Sequence, residues 1–104
     1  MKKVFYCCLL MLFVSPVALA EQHEVGQLNK EFTVDELNVK QGDTVKFVNL
    51  DPFFHNVFSL SDAKFFDLGS FPQNESKEVE FDTKGKVEVE CAIHPNMKMV
   101  VNVE

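Results

Sequence analysis

Four potential metal-binding side chains lie within nine residues near the end of the chain. Cys91, His94, Met97 and Met99 supply one thiol, one imidazole and two thioethers in the stretch CAIHPNMKM. A second imidazole, that of His55, follows a proline in the block DPFFHNVF. Thiolate and thioether favour Cu(I), while imidazole binds both oxidation states of copper. Two histidines, one cysteine and a weak axial methionine therefore predict a trigonal copper site that can cycle by one electron.

Residues 1–20 have the features of a cleavable signal peptide. Two lysines precede an apolar run over 4–14, and the triplet ALA ending at Ala20 carries the small-x-small pattern of a cleavage site. An apolar run of this length is too short to cross a bilayer, which needs about 20 residues. We therefore expect cleavage after Ala20 and a single mature domain over 21–104 that is exported to the periplasm.

The charge and cysteine content of the mature chain narrow its function. Removing residues 1–20 takes away two lysines and no acids, which leaves a net charge of −8. Such a charge argues against nucleic acid and against anionic membranes, and it suits an exported protein that meets basic partners. Cys7 and Cys8 leave with the signal, so Cys91 has no partner for an internal disulfide. Its thiol is then either buried and inert or bound to a metal.

Alternation of apolar and polar residues dominates the mature chain and predicts an all-β fold. The alternating segments are 44–49, 78–81, 86–91 and 99–103. Short strands separated by turn residues are typical of a Greek-key β-sandwich or barrel, here with about seven to eight strands. The less regular stretch 62–74 is expected to place its phenylalanines over one edge of the core.

The alternation also orients the cysteine. Val87, Val89 and Cys91 share one face of their predicted strand, opposite Glu88 and Glu90. We therefore expect Cys91 to point inward where the strand ends and a loop begins. The two glutamates are expected to form a solvated outer face.

Three sequence blocks resemble those of the cupredoxins, the type I blue copper proteins. They are V-x-x-G-D-T-V-x-F-x-N at 39–49, P-x-x-H-N at 52–56 and C-x-x-H-P-x-M at 91–97. The likeness is greatest to amicyanin and to small methylamine utilisation proteins, with plastocyanin and pseudoazurin more distant. The resemblance implies a Greek-key sandwich that binds one copper ion. It also implies a one-electron carrier that is not an enzyme.

Carried over by position, the resemblance assigns the ligands around the copper. It makes His55, Cys91 and His94 the equatorial ligands. It gives Asn56 the role of tying the two ligand loops together by hydrogen bonds, without touching the metal.

The axial ligand is open between two methionines. Met97 stands three residues after His94, as in amicyanin-like loops, and Met99 stands five after it, as in plastocyanin and pseudoazurin. Met99 alternates with Lys98 and Val100 as the first inward residue of the last strand, whereas Met97 falls in the loop. Alternation therefore favours Met97.

The resemblance also implies the route by which electrons leave the copper and the kind of protein that exchanges them. In related proteins the edge of the second histidine, here His94, lies within an apolar surface patch. The predicted patch consists of Pro52, Phe53, Pro95 and Met97. Phe54 has the opposite parity to Phe53 and is expected in the core. The expected partner of this monomer is a transiently bound redox protein, such as a c-type cytochrome or a dehydrogenase, attracted to the acidic surface.

Other functions of the same donors stay open. Copper sequestration or delivery would use the same ligands with a more exchangeable ion, and tetrahedral zinc also accepts one cysteine and two histidines. After cleavage, Glu21-Gln22-His23 would present a free amine with histidine third, which can bind a second Cu(II) in square-planar nitrogen geometry.

Overall fold

The computed structural model describes residues 19–104, which form nine β-strands and contain no helix. The strands are β1 (Gln22–Leu28), β2 (Glu31–Phe32), β3 (Glu36–Val39), β4 (Asp43–Asn49), β5 (His55–Ser61), β6 (Lys64–Phe71), β7 (Ser76–Phe81), β8 (Gly85–Glu90) and β9 (Lys98–Val103). They build a four-stranded sheet of order β2-β1-β4-β7 and a five-stranded sheet of order β3-β9-β8-β5-β6. The predicted all-β sandwich is confirmed, and the described residues form nine strands where about seven to eight were expected. Residues 1–18, most of the predicted signal peptide, lie outside the described residues.

The core lies between the two sheets and is formed by alternate residues of facing strands. Val45 and Phe47 of β4 are fully buried, as are Val87 and Val89 of β8. Cys91, which follows β8, is also buried. The alternation in the sequence therefore predicted these strands because each has one face in the core and one in solvent.

No helix of the described residues is long and apolar enough to span a membrane.

The stretch 62–74 is more regular than its sequence indicated. It contains β6, which lies at the edge of the five-stranded sheet and pairs with β5 alone. Phe71 is buried as expected, but Phe65 is 71% exposed, so the prediction that it covers the core is wrong. Phe65 lies opposite Leu60 on the outer face of the hairpin, and Leu60 is exposed too.

The topology brings the two predicted ligand segments to one end of the sandwich. His55 is the first residue of β5, and Cys91 directly follows the last residue of β8. These strands are neighbours in the same sheet, where Phe58 pairs with Glu90. The loop 91–97, which holds His94, joins β8 to β9. The fold thus places His55 beside the loop that carries the other donors.

The buried carboxylate of Asp43, the first residue of β4, links the start of β1 to the start of β4. Asp43 accepts hydrogen bonds from the backbone N–H of Glu21, from Nε2 of His23 and from the backbone N–H of Lys40, each at 2.9 Å. These donors, with the Glu21 N–H foremost, lower the pKa of Asp43 to about 2. Asp43 and Asn49 stand at the two ends of β4, about 20 Å apart at 3.3 Å per residue. Asp43 is therefore remote from the predicted ligands.

Asp43→Asn is expected to lower the free energy of unfolding at neutral pH and to weaken its dependence on acid. Because the folded pKa of about 2 lies below the ordinary value of 3.8, ionised Asp43 contributes stability above pH 3.8. That contribution is lost as the pH falls toward 2. Urea unfolding midpoints measured from neutral pH to pH 2 should therefore fall more steeply in the wild type than in the variant. Parallel declines in the two proteins would contradict this role.

Candidate metal centre

Three potential ligand atoms converge at the end of the sandwich. Nδ1 of His55 lies 3.8 Å from Sγ of Cys91, and Nδ1 of His94 lies 4.0 Å from the same sulfur. The two Nδ1 atoms are 3.2 Å apart. His55 and Cys91 are buried, whereas His94 is half-buried. The structure thus brings together the three residues that the sequence separates by up to 39 positions.

The spacing of these atoms fits a first-row metal ion. Zinc binds imidazole nitrogen at about 2.0–2.1 Å and thiolate sulfur at about 2.3 Å. A trigonal arrangement at those lengths puts nitrogen and sulfur about 3.8 Å apart and the two nitrogens about 3.5 Å apart. The observed separations are close to both values, so an ion fits between the donors with little adjustment. Thiolate together with imidazole is a donor set that copper prefers.

Two backbone hydrogen bonds close the loop that carries His94. The N–H of Met97 donates to the carbonyl of His94 at 2.9 Å, and the N–H of Cys91 donates to the carbonyl of Met97 at 3.3 Å. Met97 is only 1% exposed although it lies outside the strands. The loop therefore folds Met97 back beside Cys91.

Met99 has a different position from Met97. It belongs to β9, pairs with Val89 of β8 and is buried on the same face as Val101 and Val103. This is the inward strand position that alternation predicted for it. The choice of Met97 as axial ligand stays a prediction.

Asn56 joins the two ligand segments. Its Oδ1 accepts a hydrogen bond of 2.7 Å from the backbone N–H of Ala92, the residue after Cys91. Asn56 itself follows His55 in β5. The structure therefore contains a hydrogen bond between the ligand loops of the kind that the resemblance implied.

Asp51 contacts His55, a role that the sequence did not indicate. Nε2 of His55 donates to Oδ2 of Asp51 at 2.7 Å, and the N–H groups of Asn29 and Lys30 donate to the same carboxylate at 2.7 and 2.9 Å. Burial alone would raise the pKa of Asp51, but the hydrogen bonds from His55, Lys30 and Asn29 outweigh it and lower that pKa. With Nε2 as donor to an ionised carboxylate, Nδ1 of His55 is left free for a metal.

The surroundings of His94 favour its neutral form. Burial, together with the proximity of His55 and Lys30, lowers its pKa below the ordinary 6.5. A neutral imidazole is the form that binds a metal. Phe53 contacts both histidine rings, with centroid separations of 5.3 Å to His55 and 5.5 Å to His94. Its ring therefore helps to fix the two imidazoles relative to each other.

One side of the surface near His94 is apolar and differs in part from the predicted patch, whereas Lys30, Glu31 and Asp35 line a pocket on another side of the same histidine. The exposed apolar side chains of the two ligand segments include Pro52, Phe53, Phe54, Ile93 and Pro95, of which Phe53 contacts the His94 ring. Met97 is buried and does not contribute. The prediction that Phe54 is in the core is wrong, since it is 55% exposed. Residues 51–53 form a bend before β5, and strand parity does not apply there.

The predicted second Cu(II) site lies in a strand rather than in a free tail. Gln22 and His23 pair with β4, the backbone nitrogen of Glu21 donates to Asp43, and the His23 ring is hydrogen-bonded to the same carboxylate. A square-planar chelate would have to take these nitrogens from Asp43 and from the strand. This second Cu(II) site stays a prediction, because the nitrogens it would use already make hydrogen bonds to Asp43 and within the sheet.

Comparison with known proteins agrees with the fold and the donors. A family model described as copper binding proteins of the plastocyanin/azurin family matches residues 19–104. The methylamine utilization protein MauL of Methylorubrum extorquens is 31% identical over 87 residues, covering 83% of this chain and 76% of that protein. A reduced Cu(I) form of an amicyanin variant superposes with a TM-score of 0.74 at 26% identity, over 85% of this chain and 86% of that chain.

A larger enzyme shares the fold in one part of its chain. The copper-containing nitrite reductase of Thermus scotoductus superposes with a TM-score of 0.75 at 24% identity. The match covers 86% of this chain but spans only 25% of the reductase. At that identity the likeness concerns the fold alone.

The chain therefore belongs to the plastocyanin/azurin family of copper-binding proteins. Its cofactor is one copper ion, and its class is that of the type I copper proteins, which carry single electrons. The predicted family and cofactor are confirmed.

Proposed function

We propose that this chain is a non-enzymatic electron carrier with His55, Cys91 and His94 as equatorial ligands and Met97 as axial ligand. The observation that carries the proposal is the convergence of Nδ1 of His55, Nδ1 of His94 and Sγ of Cys91 within 4.0 Å of one another. Bound copper would supply the one-electron cycling between Cu(II) and Cu(I).

The protein restrains the ligand side chains in fixed positions. The hydrogen bond from Ala92 to Asn56 and the ladder of β8 with β9 fix both ends of the loop 91–97. His55 is fixed by β5 and by its hydrogen bond to Asp51. Ligands that are already in place need little movement when the metal changes its charge.

The donor count favours a carrier over an enzyme. Three converging donors with Met97 as a fourth leave no coordination position for a substrate, which metal-assisted catalysis requires. The burial of His55 and Cys91 also favours a retained ion over one passed to another protein. Sequestration or delivery of copper is therefore the second candidate.

We propose that electrons pass through His94 at the apolar patch of Pro52, Phe53, Phe54, Ile93 and Pro95. A patch of this kind suits weak, brief docking of a redox protein. The acidic chain would attract a basic partner, such as a c-type cytochrome or a dehydrogenase, at a rate that falls with salt. The name of MauL places that relative in methylamine utilization. We place this chain in the periplasm as a monomer, after cleavage following Ala20.

Repeated redox cycling of the copper-loaded protein tests carrier against delivery. A carrier should bleach on reduction and recover its full visible absorption on reoxidation, with the copper retained in the presence of a competing chelator. A delivery protein should lose its copper to the chelator as fast as the two are mixed. Loss of copper in the first cycle would contradict the carrier function.

A further inference from the structure

We infer that Asp51 is a positioning residue that fixes the orientation of His55 and lowers the reduction potential of the copper through its negative charge. This inference rests on the proposed role of His55 as a ligand.

The contact between Asp51 and His55 is sheltered from water. The His55 ring is fully buried and Asp51 is only 3% exposed, so Nε2–H has the carboxylate as its partner at 2.7 Å. A hydrogen bond on one ring nitrogen fixes the rotation of the imidazole and directs the other nitrogen. Here that other nitrogen, Nδ1, is directed toward Sγ of Cys91.

The carboxylate is itself held by a strained turn. Asn29 and Lys30 form the two-residue connection between β1 and β2, with φ of 57° and 63°. Positive φ at both positions is the conformation of a type I′ turn, which non-glycine residues adopt at a cost. In this conformation both N–H groups point at Asp51.

A second contact fixes the backbone of Asp51. Its N–H donates to Oδ1 of Asn49 at 2.8 Å, and the amide nitrogen of Asn49 donates to two backbone carbonyls. Asp51 is therefore restrained on its carboxylate side and on its backbone side. It cannot turn away from His55 without breaking several hydrogen bonds.

The charge of Asp51 affects the two oxidation states unequally. Cu(II) carries one more positive charge than Cu(I), so a carboxylate beyond the ligand ring stabilises the oxidised site more. The site is buried, so salt screens this interaction little. Groups hydrogen-bonded to ligands are among the features by which proteins tune redox potentials.

Asp51→Asn tests the inference, with Asp43→Asn as its matched control. Asp43 is also a buried carboxylate that binds a histidine Nε2 and two backbone N–H groups, but it lies at the other end of β4. We expect Asp51→Asn to weaken the preference for Cu(II) about tenfold, which raises a one-electron potential by about 59 mV. Asp43→Asn should leave the potential unchanged. A folded, blue Asp51→Asn protein with the wild-type potential would overturn the inference.

A measurement on the wild type covers the case in which Asp51→Asn does not fold. Nitrogen NMR of the Cu(I) protein should find the proton of His55 on Nε2, slow to exchange with water. A proton on Nδ1, or rapid exchange at Nε2, would overturn the inference. A copper-loaded wild type without colour would contradict the ligand assignment, whereas a blue wild type with an unshifted Asp51→Asn variant contradicts the role of Asp51 alone.

Discussion

Cys91→Ser is expected to abolish the intense visible absorption of the copper-loaded protein. The colour of such a site comes from charge transfer between thiolate and Cu(II), and a serine hydroxyl is neither ionised at neutral pH nor a soft ligand. Cys91 is the free cysteine of the described residues, so no other thiolate there can replace it. Visible spectra of both proteins, recorded at equal copper content, measure the effect.

The control for this variant is the fold of the metal-free protein. Cys91 is buried, and a buried hydroxyl that lacks a partner costs about 1–3 kcal/mol. The variant should therefore keep its β circular dichroism while its urea midpoint falls modestly. A folded Cys91→Ser protein that stays intensely blue would show that the sulfur is not a ligand.

Met97→Leu is expected to raise the reduction potential of the bound copper. Leucine removes the axial sulfur donor and leaves a more apolar site, which disfavours the more highly charged Cu(II). A tenfold loss of preference for Cu(II) corresponds to about 59 mV, and we expect a shift of at least roughly this size. Protein-film or solution voltammetry measures it directly.

Met99→Leu is the matched control because both substitutions replace a buried methionine with leucine. A swap between methionine and leucine in a core usually costs less than about 1.5 kcal/mol. We expect Met99→Leu to change stability by no more than that and to leave the potential in place. A shifted potential in Met99→Leu with none in Met97→Leu would move the axial assignment to Met99.

The strands and the donors were predictable because each leaves a local chemical signal. In β8, valines alternate with charged residues, since one face of the strand lies in the core. That alternation also predicted the buried position of Cys91. The donors could be found because one thiol, one imidazole and two thioethers within nine residues are an uncommon combination.

Contacts between distant segments were not predictable in this way. Asp51 lies only four residues before His55, but the N–H groups that hold its carboxylate in place belong to the turn at Asn29 and Lys30. That turn is more than 20 residues away in sequence. No local pattern of residue types records such a contact.

Side-chain orientation was mispredicted for two phenylalanines, Phe54 and Phe65. Phe54 lies just before β5, outside the regular strand, and is exposed. Phe65 lies within β6, but on the outer face of an edge strand. Phe54 was assigned to the core from its parity with Phe53, and Phe65 from its residue type, but both side chains are exposed.

Anomalous diffraction at the copper edge from crystals of the copper-loaded protein tests the proposed centre most directly. The proposal predicts one strong peak within bonding distance of Nδ1 of His55, Nδ1 of His94 and Sγ of Cys91. A principal peak at His23 and Asp43, or one that lies beyond bonding reach of the Cys91 sulfur, would contradict it.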